Sequence, residues 1–242
     1  MLYGIISDIH SNLEALNVVL DKLKHAEKVV CLGDIVGYGP NPNECVEKVR
    51  SLNIPAVAGN HDKAVTGEHE VKWFNQNARQ AVTWTQMTIF QENLDYLKGL
   101  PLMLTEDGFQ FVHGSLRSPL DEYVAGIAEA LPTFEKMTQP LCFVGHSHVP
   151  MFIAQKRDGN YDGRALLDGD EVLIDDYAKV IINVGGVGQP RDGDPRASYG
   201  TYDPKTRIFT LHRVEYNIEQ VQAKMKQVDL PEPLISRLSQ GR

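Results

Sequence analysis

Five short stretches of the chain carry side chains suited to binding metals or moving protons. They are Asp8 and His10; Asp34 after Gly33; Asn60, His61 and Asp62 after Gly59; His113; and His146 and His148 in Gly145-His146-Ser147-His148. The available donor atoms are imidazole nitrogens, carboxylate oxygens and one amide oxygen. No thiolate is among them, so the set is unlike the closed cysteine cages of structural zinc. Five of the eight histidines fall in these stretches. His25, His69 and His212 do not, and they read as ordinary surface or core residues.

This is the ligand chemistry of a two-metal hydrolase. The i, i+2 spacing of Asp8/His10 and of His146/His148 puts both side chains of each pair on one side of an extended segment. Each pair can then serve one ion or two adjacent ones. Ions in two-metal sites sit about 3.5–4 Å apart, so a carboxylate must bridge them. Asp34, alone on its stretch, is the natural bridge. With only Asp8 and Asp34 as carboxylate ligands, the cluster keeps an excess of positive charge. It would attract a phosphate and lower the pKa of a bridging water, whose hydroxide form attacks phosphorus. Asn60 is expected to hold a metal. His61 is left over as the titratable group that protonates the leaving oxygen, with Asp62 orienting its imidazole.

The elements around these stretches explain how they could meet. Leu2 to Ile6, Val29 to Leu32, Ile54 to Ala58, Phe109 to Val112 and Leu141 to Val144 read as short buried strands, each running into one of the polar stretches. A helix with apolar positions at Leu13, Leu16, Leu20 and Leu23, capped by Asn12, follows the first strand. Another spans about Pro42 to Ser51, after a Gly/Pro-rich loop from Ile35 to Pro42. In an open α/β sheet, sites form at the strands' C-terminal edge.

Glu70 to Leu100 reads as helical, with Trp73, Phe74, Ala78, Val82 and Trp84 forming the aromatic and apolar core of that layer. Asp121 to Met137 reads as a helix interrupted at Pro132. Further strands are expected at Met151–Ile153, Val172–Ile174, Val180–Val184, Ser198–Tyr202 and Arg207–Val214. These call for a second sheet stacked on the first. Asn217 to Arg242 forms a helical tail that docks on the body or on a second subunit. The 242 residues show no linker or repeat and read as one domain with a helical insertion at about 70–100.

Composition narrows the function. A net charge of −8 argues against a stable complex with nucleic acid, which needs a cationic surface. No apolar run reaches membrane-spanning length. Cys31, Cys45 and Cys142 are an odd number without pairing spacings, which fits a reducing, cytoplasmic setting.

The order Asp8-x-His10, Gly33-Asp34, Gly59-Asn60-His61-Asp62, His113, Gly145-His146-x-His148 resembles the calcineurin-like metallophosphoesterase superfamily. The likeness is greatest to its bacterial and archaeal single-domain phosphodiesterases, some of which cleave dinucleoside polyphosphates. Ile35 to Pro42, His113-Gly114-Ser115 and Asn183 to Arg191 support that narrower placement. The resemblance implies a four-layer αββα sandwich of two stacked mixed β-sheets flanked by helices. It also implies Asp8, His10, Asp34 and His148 on one metal, and Asp34, Asn60, His113 and His146 on the other. His146 and His148 then serve different ions. The implied cofactor is a pair of divalent ions drawn from Mn, Fe, Zn, Ni and Co. The implied reaction is hydrolysis of small phosphodiesters or nucleotide pyrophosphates. A phosphomonoesterase or protein phosphatase on the same site, and a non-catalytic scaffold of the same fold, are the alternatives.

One stretch departs from the family, which often has Asn-Pro-Gly-Ser where this chain has Asn183-Val184-Gly185-Gly186. The family's phosphate contact is therefore not carried over to that loop. Nearby Arg191 is the candidate to clamp a substrate phosphate.

Overall fold

Strands of four or five residues that are buried on both faces can only exist between two layers, and this chain has several. The computed structural model describes residues 1–242 apart from the side chain of Trp73. In chain order the elements are β1 (Tyr3–Ile6), α1 (Leu13–Lys22), β2 (Lys28–Cys31), α2 (Pro42–Ser51), α3 (Asn60–Val65), α4 (Gln76–Thr88) and α5 (Gln91–Lys98). Then follow β3 (Met103–Glu106), β4 (Phe109–Val112), α6 (Ile127–Lys136), β5 (Leu141–Val144), β6 (Met151–Gln155), β7 (Tyr161–Ala165) and β8 (Glu171–Leu173). The chain ends with β9 (Lys179–Asn183), β10 (Ala197–Asp203), β11 (Ile208–Val214), α7 (Ile218–Gln227) and α8 (Glu232–Ser236).

One sheet has the order β2-β1-β10-β11-β8 and the other β3-β4-β5-β9-β6-β7. Both are mixed. β1 runs parallel to β2 and antiparallel to β10; β4, β5 and β9 run parallel, while β6 opposes β9. Side chains alternate between the two faces of each strand. Tyr3 and Ile5 of β1 join Phe109, Phe111, Phe143, Val180, Ile182 and Phe209 in a core between the sheets. Ile6, the next residue of β1, packs outward with Leu16, Val19, Val46, Val49, Val221 and Met225 of the helical layer. On the far side, Val112, Cys142, Val144 and Ile181 pack against Ala130 and Phe134 of α6. The layers are therefore helices, sheet, sheet and helix, the αββα arrangement expected.

Several local expectations are corrected. Ile54–Ala58 is not a strand; it makes one parallel bridge, between Cys31 and Ala56. The backbone N–H of Ala58 then turns to the carbonyl of Pro101. The segment is buried, but Pro55 removes a donor a ladder would need. The helix expected from Asp121 begins at Ile127 and runs through Pro132. Pro132 frees the carbonyl of Ala128, an exposed residue, where water can replace the lost bond. The helical insertion breaks into α4 and α5 at Ile89 and Phe90. Trp84 packs on the helical core as expected, and the side chain of Trp73 lies outside the described residues. The strand β7 was not expected; it is a mostly exposed edge with a polar sequence. The tail docks on its own body, with Lys224 of α7 bonded to Glu14 of α1 and, at 3.3 Å, to Asn41. Among the described residues, no helix is long and apolar enough to cross a membrane.

Candidate metal centre

The ligand-bearing loops lie at the C-terminal ends of β1, β2, β4 and β5, and backbone hydrogen bonds hold them together. Asp8 N–H donates to the Gly33 carbonyl at 3.1 Å and His10 N–H to that of Asp34 at 2.9 Å. Gly145 N–H donates to the His113 carbonyl at 2.8 Å, tying the third loop to the fourth. The loop after β9 closes the other side, with Val187 N–H on the Ser7 carbonyl and Gly188 N–H on that of Asp8. Asn183 spans from it to the Gly145 carbonyl and to Ser147 Oγ, at 2.5 and 2.9 Å. The departure at Val184 and Gly186 thus sits in a loop that clamps the ligand loops.

Five of the expected ligands adopt the left-handed backbone region: Asp8 (φ 53°), His10 (47°), Asp34 (52°), His146 (65°) and His148 (58°). A non-glycine residue there costs about 1–3 kcal/mol. Such strain recurring at successive strand ends marks a site for which stability is sacrificed.

Two groups of side chains converge. Asp8, His10, Asp34 and His148 form one; Asp34, His113 and His146 form the other. Asp34 Oδ2 faces both, 3.5 Å from His10 Nε2 and 3.4 Å from His113 Nε2. Its other oxygen accepts the His61 N–H at 2.8 Å. Asn60 Oδ1 joins the second group, 3.2 Å from His113 Nε2. Asn60 and His61 open α3, so the expected strand end is in fact the first turn of a helix.

The tautomers suit metal ligation. His10, His113 and His148 donate from Nδ1 to the backbone carbonyls of Val36, Leu32 and Gln189, at 3.2, 2.9 and 2.5 Å. Each Nε2 is left to point inward, the usual outer-shell arrangement of a metal-binding histidine. The inward nitrogens then face one another: His10 Nε2 lies 3.1 Å from His148 Nε2, and His113 Nε2 lies 3.1 Å from His146 Nδ1. Asp8 Oδ1 is buried without a hydrogen-bond partner among the described residues, while Oδ2 accepts the His146 N–H. Converging lone pairs and an orphaned carboxylate oxygen in a buried site repel unless a cation lies among them. The donor set therefore fits divalent metal in both groups.

Electrostatics agree for three of the four histidines. Burial holds His10 and His148 well below the usual imidazole range and His146 down at about 3, so all three offer neutral ring nitrogens. Burial opposes charge on His113 too, but the charge and hydrogen bond of Asp34 raise it to about 9. Asp8 is pushed up to about 6, chiefly by burial.

His61 and Asp62 do not make the expected contact. Asp62 Oδ2 accepts the Gly59 N–H at 3.0 Å and Oδ1 the Val36 N–H at 3.1 Å. It caps α3 and ties the Asp34 loop to it. His61 Nδ1 is buried without a partner among the described residues. It lies against Gly37, where an added Cβ would come within 2.5 Å. His61 lines a cavity of about 120 Å³ with Asp34, Asn60, His146, His148 and Arg191. Burial lowers His61 to about 4.

Arg191 lines this cavity, its Cζ 5.6 Å from the Tyr38 ring, and its Nε is buried without a partner among the described residues. Its Nη2 donates to Gln189 Oε1 at 2.9 Å, and its backbone N–H to the His148 carbonyl at 3.2 Å. Aromatic walls complete the cavity and carry no sequence signal as site residues. Tyr38 and Phe74 flank His61, with ring centroids at 4.3 and 4.7 Å, and Tyr123 stacks on His146 at 3.9 Å. A cavity of about 680 Å³ beside α1 and α2 is larger but contains none of the ligands.

Comparisons with known proteins identify the family and the fold. A family model described as the calcineurin-like phosphoesterase superfamily domain matches residues 1–207. An uncharacterised protein of Methanocaldococcus jannaschii is 41% identical over 253 residues, spanning 100% of this chain and 98% of that protein. The crystal structure of a metallophosphoesterase from Sphaerobacter thermophilus is 45% identical with a TM-score of 0.90, covering 100% of this chain and 99% of that one. A hypothetical protein from Pyrococcus horikoshii shares the fold at 19% identity, with a TM-score of 0.82 and coverage of 100% and 98%.

Proposed function

This chain belongs to the calcineurin-like phosphoesterase superfamily and is a metal-dependent phosphoester hydrolase, and on that footing we propose that it is a two-metal phosphodiesterase acting on small phosphodiesters or nucleotide pyrophosphates. The observation that carries this reading is Asp34 Oδ2, one carboxylate oxygen facing both ligand groups. Asp8, His10, Asp34 and His148 would hold one ion, and Asp34, Asn60, His113 and His146 the other. Such ions, from among Mn, Fe, Zn, Ni and Co, supply Lewis acidity toward a phosphoryl oxygen and a water acidified to near neutrality.

The chain's own residues do the rest. Asn60, a neutral ligand, leaves the positive charge of its group uncancelled. Arg191, over the same cavity, binds non-bridging phosphate oxygens. His61 donates a proton from Nε2 to the departing oxygen. Its imidazole is held neutral by burial until an anionic phosphate beside it favours the imidazolium. Tyr38 and Phe74 confine the ring so that this nitrogen keeps its direction. The Asp62 carboxylate sets the start of α3, and with it the backbone that carries Asn60 and His61. Three buried, unpaired cysteines support a reducing, cytoplasmic setting.

The test is hydrolysis of bis(p-nitrophenyl) phosphate and p-nitrophenyl phosphate by the Mn²⁺-loaded protein. A diester rate above the monoester rate is expected; the reverse order would make it a phosphomonoesterase. His61→Ala should retain the metal content of the parent and lose about 10²–10⁴-fold in kcat, the usual share of a general acid. Metal lost from that variant would make His61 a ligand instead.

A further inference from the structure

A second compartment of about 550 Å³ adjoins the small cavity over the ligands. The two share Asn60, Phe74, Tyr123 and His146 in their walls. The compartment of about 120 Å³ lies well below the ~300–1,000 Å³ of small-molecule sites, so it suits a phosphoryl group rather than a whole nucleoside. The larger one falls within the range of small-molecule sites. The organic part of a substrate whose phosphate lies at the ligands must therefore enter it.

Its walls have a definite chemistry. Phe74 and Tyr123 present aromatic rings, and Glu68, Glu70 and Asp121 present carboxylates beside His69. Among the described residues, no lysine or arginine lines it. Lys63 pairs with Glu68, Lys72 with Glu70, and His69 with Asp121. Lys63 and Lys72 thus moderate the acidic field without lining the space. Arg191, which suits phosphate, lines only the small compartment of the two.

Resting on the phosphodiesterase reading above, we propose that the larger compartment receives an uncharged nucleoside joined to the reacting phosphate and discriminates against a polyphosphate chain. The rings stack on its base, as aromatic side chains do with any nucleobase. The carboxylates accept hydrogen bonds from sugar hydroxyls and exocyclic amines. A second and third phosphate in the same space would meet three carboxylates and no guanidinium. The substrate class is then a simple nucleoside phosphodiester, and dinucleoside polyphosphates are poor substrates.

The experiment compares kcat/KM for thymidine 5′-(p-nitrophenyl phosphate) and diadenosine tetraphosphate on the full-length Mn²⁺-loaded protein. It is repeated with the triple variant Glu68→Gln, Glu70→Gln, Asp121→Asn. The diester should be favoured by at least ~10-fold in the parent, with the ratio falling several-fold in the variant as the polyphosphate improves. Should the triple variant misfold, the parent is measured instead from about 0.05 to 0.5 M NaCl, where screening must narrow the same ratio. A parent that prefers the tetraphosphate, or a ratio indifferent to both the charges and the salt, overturns the assignment and leaves the phosphodiesterase reading standing. No turnover of either substrate takes down both.

Discussion

Gly59 is required by contact. A methyl group there would sit 2.0 Å from Asp34 Oδ1 and 2.3 Å from the Asp34 nitrogen. Gly59→Ala must therefore displace the carboxylate that faces both ligand groups. We expect it to fold but to retain less metal than the parent after gel filtration, measured by atomic emission; full metal content would show that Asp34 can shift without loss. Asp62 is needed for a different reason from the one its sequence position suggests. Neighbouring residues on a helix do not face each other, so the adjacency of His61 and Asp62 ceases to be a contact once α3 forms. Asp62→Ala leaves the buried N–H groups of Gly59 and Val36 unpaired, a cost of about 1–3 kcal/mol each. Denaturant unfolding should show that loss. An Asp62→Ala protein as stable as the parent but inactive would restore the orienting role to this residue. The polar stretches were legible because few structural demands call for His, Asp and Asn together at successive strand ends. Tyr38, Phe74 and Tyr123 were not, because aromatic residues are as common in cores as in sites.

At the scale of elements, the strands buried on both faces were easily read and the ones at margins were not. β5 is a continuous apolar run and β4 is broken only by Gln110, and both are buried along their whole length as central strands are. Ile54–Ala58 has the same appearance, yet makes one bridge, because Pro55 cannot donate and the Ala58 N–H turns to the Pro101 carbonyl. β7 pairs with β6 over five residues although its sequence, Tyr-Asp-Gly-Arg-Ala, has no apolar period. Pairing there comes from the hairpin turn and the strand alongside, information that lies outside the segment. The tail shows the same dependence. α7 was expected to dock on the body or on a partner, and Val221 and Met225 settle on the helical core beside Leu16. Val221, Met225 and Leu238 also back the loops carrying His10 and Gln189. Met225→Ala should destabilise the protein by about 2–5 kcal/mol without altering its metal content. An unchanged unfolding midpoint would mean that α7 is not part of the cooperative unit.

For the whole molecule, an acidic chain is built around a centre suited to cations. The net charge is −8, and the ligands are held in strained loops clamped from both sides. Bound ions should relieve the repulsion among the converging donors, so metal removal is predicted to lower stability. At a free concentration 100 times its Kd, one ion contributes about 2.7 kcal/mol. At about 2–4 °C per kcal/mol for a chain of this size, a chelator should lower the melting temperature by about 5–11 °C per ion. Calorimetry with and without chelator would decide it, and coincident transitions would count against buried ions at these groups. The sequence by itself determined the types of donor, their order and the buried strands that deliver them, because ligand chemistry and two-sided burial are written in residue type and period. The tertiary structure alone decided which donors share a group, that Asp34 faces both, that Asp62 caps a helix, and that an acidic aromatic compartment adjoins the ligands. Those facts depend on the meeting of loops from distant parts of the chain, and on backbone angles that residue type leaves open.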